Sequence, residues 1–159
     1  MKQGHPMRRA DRLVSEEKAR EIMAQAEYGI LMTADGEGQP YGVAVSHVAE
    51  GDKVYFHCAA NAGRKLENIR QNPKVCMSFV QNTFVDGENY THRYESAVAE
   101  GRATVVEDRE EKLHALRLIC GKYAPHSFKD TDDYILPKMD ATGVVRVDIT
   151  TLSGKVNAR

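Results

Sequence analysis

Two common nucleotide-binding signatures are missing from this chain. It has no Gly-x-x-x-x-Gly-Lys-Ser/Thr loop and no Gly-x-Gly-x-x-Gly turn, which removes the main support for a nucleoside triphosphate site or a Rossmann dinucleotide site. Cysteine is scarce: Cys58, Cys76 and Cys120 are odd in number, far apart and never spaced Cys-x-x-Cys. Neither a disulfide framework nor a zinc site is signalled, and a reducing, cytoplasmic setting is expected. No apolar run approaches the roughly 20 residues that span a bilayer, and the basic start has no apolar segment behind it, so no membrane partner is expected. Charge of one sign is lacking as well. The formal net charge is −1, which makes no electrostatic case for nucleic acid or acidic membranes. Internal repeats, linkers and low-complexity tracts are also absent, and 159 residues suit one domain.

What the chain does contain is a strand, a tight loop and a helix in close succession. Val54, Tyr55 and Phe56 begin a β-rich run, Ala59, Ala60 and Asn61 break it, and Leu66 and Ile69 follow at helical spacing ahead of Pro73. Gly63, Arg64 and Lys65 stand at the loop-to-helix junction. There, unpaired backbone amides, the positive end of the helix dipole and two cationic side chains can converge on one anion, and a phosphate suits the place. The competing reading is a solvated basic pair on a short helix.

Taken in order, residues 1–12 read as a polar, basic arm ahead of a single domain over 13–159. Ser15 caps a short helix from about Glu16 to Ala26, with Ala19, Ile22, Met23 and Ala26 on one face. Residues 29–34 read as a buried strand, 35–40 as a turn, and 41–48 as the returning strand, followed closely by the Val54 strand. Such short turns call for antiparallel neighbours. Residues 74–80 and 94–106 alternate as two more strands, Gly101 marking a bulge, and 143–149 as a last one, ahead of a tail in which Lys155 reads as a solvated charge. Between them, Asp108 and Glu111 cap the best amphipathic helix, which carries Leu113, Leu116, Ile119, Cys120 and Tyr123. The expected architecture is mainly β with flanking helices: a six-stranded antiparallel, barrel-like sheet.

The succession Thr33-Ala-Asp-Gly, Gln39-Pro-Tyr-Gly-Val-Ala-Val-Ser, Val54-Tyr-Phe-His-Cys-Ala, Gly63-Arg-Lys-Leu-Glu-Asn-Ile, Tyr94-Glu-Ser and Glu100-Gly-Arg-Ala resembles the FMN-binding split barrels of the pyridoxamine-phosphate-oxidase-like superfamily. Within it the chain is most similar to the nitroimidazole-resistance branch. The resemblance implies a split β-barrel, a homodimer, and one FMN at each end of the subunit interface. It makes Gly63, Arg64 and Lys65 the phosphate site, in agreement with the reading from the residues alone. It makes the backbone of Val43, Ala44, Val45 and Ser46 the lining of the isoalloxazine, puts His57 and Cys58 against the ribityl chain and ring, and has Ser96 reach the cofactor from the partner chain. Beside these, Cys58 also reads as a small core residue in register with Val54 and Phe56, and His57 as a structural strand histidine.

The implied activity is an FMN-dependent oxidoreductase passing electrons from a nicotinamide or other reductant to a small acceptor such as a nitroaromatic, with His57 as a proton donor. The chain departs from the biosynthetic oxidases. It lacks their longer C-terminal segment with its arginine-containing motif, and it has no tryptophan. One alternative is a flavin- or haem-binding module without turnover, with His47 or His57 as axial ligand. A metal site made from His47, His57, Cys58 and Cys76 is opposed by strand alternation, which sends adjacent His57 and Cys58 to opposite faces.

Overall fold

The computed structural model describes residues 8–127 and 131–158; the beginning of the expected N-terminal arm, residues 1–7, lies outside them. Seven strands form one sheet: β1 (Gly29–Ala34), β2 (Pro40–Val45), β3 (His47–Glu50), β4 (Lys53–Ala59), β5 (Lys74–Asp86), β6 (Thr91–Val105) and β7 (Thr142–Asn157). The helices are α1 (Glu16–Gln25), α2 (Arg64–Gln71), α3 (Arg109–Tyr123) and the short α4 (Thr131–Ile135). The lateral order is β2-β1-β5-β6-β7-β4-β3, and every neighbouring pair is antiparallel.

The expected six strands are seven, because residues 41–48 do not form one strand. They break at Ser46, and the halves pair with different partners: Val45 to Pro40 with β1, and His47 to Glu50 with β4. This break sets the shape of the sheet. Laid flat, seven strands at about 4.8 Å spacing would hold their edges about 29 Å apart. Yet the edge strands β2 and β3 are joined only through Ser46, and two virtual Cα bonds reach at most about 7 Å. The sheet therefore curls until its edges meet at one point, and from there β2 leaves β4 and keeps to β1.

The interior of the curl is filled by period-two alternation. Leu31, Val45, Val54, Phe56, Met77, Phe79, Ala97, Ala99, Val145 and Val147 are buried in one cluster, and α1 closes it with Ala19, Ile22, Met23 and Ala26. Ser15 caps α1, its hydroxyl accepting from the Lys18 amide at 3.2 Å. Close docking of α1 needs Gly154, where an added Cβ would stand 2.8 Å from the Ala19 Cβ. At Gly101 the β6–β7 register shifts, as the sequence predicts, and a Cβ there would lie 2.3 Å from the Asp148 carbonyl oxygen. A second cluster on the outer side joins α3 and α4 to the sheet through Tyr55, Val106, Ala115, Leu116, Ile135, Met139 and Val144. Asp108 caps α3 by accepting from the Glu111 amide at 2.7 Å.

Three segments differ from expectation. Residues 81–92, too polar to assign from sequence, extend β5 and β6 into a hairpin arm beyond a register shift at Gln81/Phe84, leaving Phe84, Val85 and Tyr90 exposed. β7 continues well past residue 149 to Asn157, so Lys155 is a strand residue opposite Ser96 rather than a tail charge. A 3-10 turn at Ala10–Arg12 leads to Leu13, which bridges to Lys155.

Candidate functional site at the barrel split

Helix α2 is held at the split by its own polar side chains. Buried Asn68 donates its side-chain amide to the Thr33 hydroxyl on β1 at 2.9 Å, and Gln71 accepts from the Gly36 amide in the β1–β2 turn at 2.9 Å. Leu66 and Ile69 enter the core. Its first turn is bare. Gly63, the residue before the helix, has no side chain to cap it and sits at φ 106° and ψ 148°, a region essentially reserved for glycine. The Leu66 and Glu67 amides return to the Gly63 carbonyl. The amides of Gly63, Arg64 and Lys65 find no protein acceptor among the described residues. Neither Arg64 nor Lys65 has a carboxylate partner among them. The Arg64 guanidinium lies 4.8 Å from the centre of the Tyr41 ring. Free amides, two unneutralised cations and the positive end of a helix make a strong anion cradle.

The strand edges at the split complete the site. The outer edge of β2 belongs to no ladder, and β4 beyond Phe56 pairs only with β7, so Ser46, the outer side of Val43, Ala44 and Val45, and one side of His57, Cys58 and Ala59 are left without strand partners. Val43 and Val45 turn their side chains into the core, leaving their backbone and small Ala44 to line the opening. The sequence-predicted residues Val43, Ala44, Val45, Ser46, His57, Cys58, Gly63, Arg64 and Lys65 are thus brought to one end of the barrel.

His57 and Cys58 divide as alternation requires. Cys58 packs against the main core, and burial pushes its thiol up despite nearby Lys65 and Lys112. His57 is on the opposite, outward face and exposed; partial burial and the Lys65 cation push its imidazole down. It is therefore neutral at pH 7, which suits a hydrogen-bonding contact rather than a cationic one. Ser96 is not gathered with the others. It lies on β6, three strands from β2, donating to the Lys155 carbonyl at 3.3 Å.

His47 is removed from ligand chemistry altogether. It is 0% exposed, its Nε2 donates to the Met23 carbonyl at 2.7 Å, and its ring lies 4.7 Å from that of Phe79. The Tyr123 hydroxyl, at the end of α3, accepts from the His47 amide at 2.9 Å and donates to the Glu27 carbonyl at 2.7 Å. His47 thus ties α1, β3 and α3 together. Among the described residues no three His, Cys, Asp or Glu side chains gather as a metal would require. Sequence reasoning missed Tyr41 and Asn68, which steady α2. Tyr41 shares the inward phase of Val43, a signal readable in advance, whereas the Asn68–Thr33 bond joins residues 35 apart and left no local trace.

An antiparallel sheet whose two edge strands are consecutive in the chain, with a cationic helix start at the opening, defines a split barrel. The chain belongs to the pyridoxamine 5'-phosphate oxidase family, whose model matches residues 15–156. It is similar to a candidate 5-nitroimidazole antibiotic resistance protein of Bacteroides thetaiotaomicron, at 29% identity and TM-score 0.76 over 91% of this chain and 86% of that one. The flavocytochrome Anf3 of Azotobacter vinelandii shares the fold at 20% identity and TM-score 0.79, over 98% of this chain and 73% of that one. So does an FAD- and haem-binding protein of Mycobacterium smegmatis, at 15% identity and TM-score 0.72 over 91% and 72%. A search of curated protein sequences gives no match. No helix among the described residues is long and apolar enough to cross a membrane.

Proposed function

We propose that this protein is a homodimeric, FMN-dependent oxidoreductase that reduces a small acceptor, nitroaromatic compounds included, at the expense of a nicotinamide or other reductant. One observation carries the reading: three amides without protein acceptors and two cations without carboxylate partners stand in succession at the start of α2, beside strand edges left open by the break at Ser46. The donor set fits a flavin mononucleotide. A phosphate dianion takes Gly63, Arg64 and Lys65, while the outward backbone groups along Val43 to Ser46, on the side away from β1, offer hydrogen bonds to a flat polar ring edge, with Ala44 small enough for close approach. FMN, when bound, supplies the redox step. This chain binds it, orients it and excludes water, with His57 as a neutral hydrogen-bonding group at the opening.

The outer face of the sheet supports the dimer reading. Ile30, Val80 and Val98, from β1, β5 and β6, are exposed apolar residues that no helix covers, beside half-buried Met32 and Ser78. Such a patch suits a second copy of the chain, whose Ser96 would then approach the flavin. Three unpaired thiols accord with a reducing, cytoplasmic location.

The test is the chromophore. The purified protein should absorb as an oxidised flavin and release FMN on denaturation. Lys65→Gln should weaken FMN binding by about 10- to 100-fold, the loss of one charge-assisted contact to a phosphate. A colourless protein that takes up no FMN refutes the proposal. A Soret band in place of the flavin spectrum would favour a haem-binding split barrel without turnover, with His57 rather than buried His47 available as ligand.

A further inference from the structure

A second cationic cluster lies away from α2, on the outer face of β6 and β7. Tyr94 and Ser96 line a cavity of about 450 Å³ together with Ser78, Val80 and Phe84, enough for a small aromatic ring. The Lys155 ammonium lies 5.4 Å from the centre of the Tyr94 ring. Arg12 is brought to the same place by the bridge between Leu13 and Lys155, and it lines the adjoining groove with Val156 and Asn157, the latter being the strand partner of Tyr94. Lys155, then Arg12, pull the Tyr94 phenol below its ordinary range. Neither cation forms an ion pair with a carboxylate among the described residues, although Asp11 in the same groove is near enough for Arg12 to help lower its pKa. Glu95 turns to the other side, where it meets Lys18 at 3.4 Å and Gln81 at 2.8 Å, and Arg9 is engaged by Asp11. One cation beside the Tyr94 ring, a second in the adjoining groove, and an apolar-walled cavity with two serine hydroxyls have the composition of a receptor for an aromatic anion.

We propose that Tyr94, Lys155 and Arg12 form a recognition subsite for the anionic group of a small aromatic substrate, whose ring occupies the cavity walled by Val80 and Phe84. As an acceptor subsite it rests on the flavin reading above, because the face carrying it is the one offered to the partner subunit and Ser96 lies beside it. It makes the preferred acceptor a negatively charged aromatic rather than a neutral one. Lys155 and Arg12 bind the charge, and Tyr94 positions both.

The experiment is calorimetric titration of the protein, as purified with its cofactor, with 4-nitrobenzoate and with nitrobenzene as its neutral twin. Wild type should bind 4-nitrobenzoate more tightly. Lys155→Gln should weaken that binding by about tenfold, Lys155→Arg should restore most of it, and Arg12→Gln should act in the same direction, with nitrobenzene affinity and bound flavin unchanged. Equal weakening of both probes would mean that Lys155 only packs the cavity, and an unaltered 4-nitrobenzoate affinity in both charge variants would mean that the cations do not meet the ligand. Either overturns the proposal. Because the titration reads binding and not turnover, protein without flavin would refute the enzyme reading while the two probes still decide the subsite.

Discussion

Buried His47 should make the protein sensitive to acid in a defined window. Burial, with Lys122 beside it, pushes its pKa from an ordinary 6.5 to about 4. The causes are visible: the residue is 0% exposed, its Nδ1 has no hydrogen-bond partner, and the Lys122 ammonium, itself anchored on the Ala26 carbonyl at 2.9 Å, stands 3.4 Å from Nε2. A proton arriving at Nδ1 would create an unsolvated cation facing another. Above pH 6.5 the ring is neutral both folded and unfolded, and nothing is lost. As pH falls below 6.5 the unfolded chain takes up a proton that the folded one refuses, so stability drops until about pH 4, where the folded protein protonates too. Integrated over that shift, the loss at pH 4 is about 3 kcal/mol. Urea unfolding at pH 7, 6, 5 and 4, for wild type and His47→Gln, measures it. The variant keeps a side-chain N–H for the Met23 carbonyl and does not titrate. It should begin less stable and lose about 3 kcal/mol less than wild type between pH 7 and pH 4. Parallel losses in the two proteins would refute the reasoning, since carboxylates common to both would then explain the whole slope.

Gly63→Ala isolates the backbone at the head of α2. No atom lies within 4 Å of the added Cβ, so the cost is conformational strain at φ 106° alone. That is about 1–3 kcal/mol, seen calorimetrically as a melting temperature lower by roughly 2–4 °C per kcal/mol for a domain of this size. If the loop relaxes instead, stability is retained and FMN affinity falls. Unchanged stability together with unchanged affinity would contradict the site. Ile30→Asp on the outer face, where the side chain is 42% exposed in the isolated chain, should leave the subunit folded by circular dichroism and shift sedimentation from dimer to monomer, with bound flavin lost along with the dimer. A dimer that persists with its flavin intact would move the interface elsewhere.

Local signals served the fold well wherever one phase of alternation or one cap governs a segment. Ser15 and Asp108 cap their helices, Gly101 sits at its register shift, and Pro73 ends α2 and begins the return into β5. The failures were non-local. Nothing in residues 41–48 marks Ser46 as a break, because the inward phase of Val43, Val45 and His47 runs straight through it. What breaks the strand is a choice of partners, β1 before Ser46 and β4 after it. The hairpin arm of residues 81–92 is held by pairing with itself and by contacts such as Arg93 to Asp86 at 2.7 Å, with no apolar stripe to betray it. The end of β7 is concealed likewise, its stretch after Ile149 mixing Thr150, Thr151, Ser153 and Lys155 with only Leu152 and Val156, while close packing of α1 requires Gly154.

The candidate site follows from that same unreadable break. A continuous strand over 41–48 would have paired with β4 along its whole length, consumed the backbone groups of Val43 to Ser46 and His57 to Ala59, and closed the barrel. The break leaves one side of these residues open, β2 staying on β1 and β4 on β7, at the place where the chain, leaving β4, must cross to α2. Unsatisfied backbone is costly when dry, so an opening lined with it either stays wet or holds a polar ligand. Arg64 and Lys65 favour the second under the proposed function, because two cations without carboxylate partners at a helix N-terminus stabilise a bound dianion far more than they stabilise water. The residues that propose an anionic ligand, Gly63, Arg64 and Lys65, were legible as a motif. The open strand edges beside them were not, since these are made by what β2 and β4 fail to do with one another.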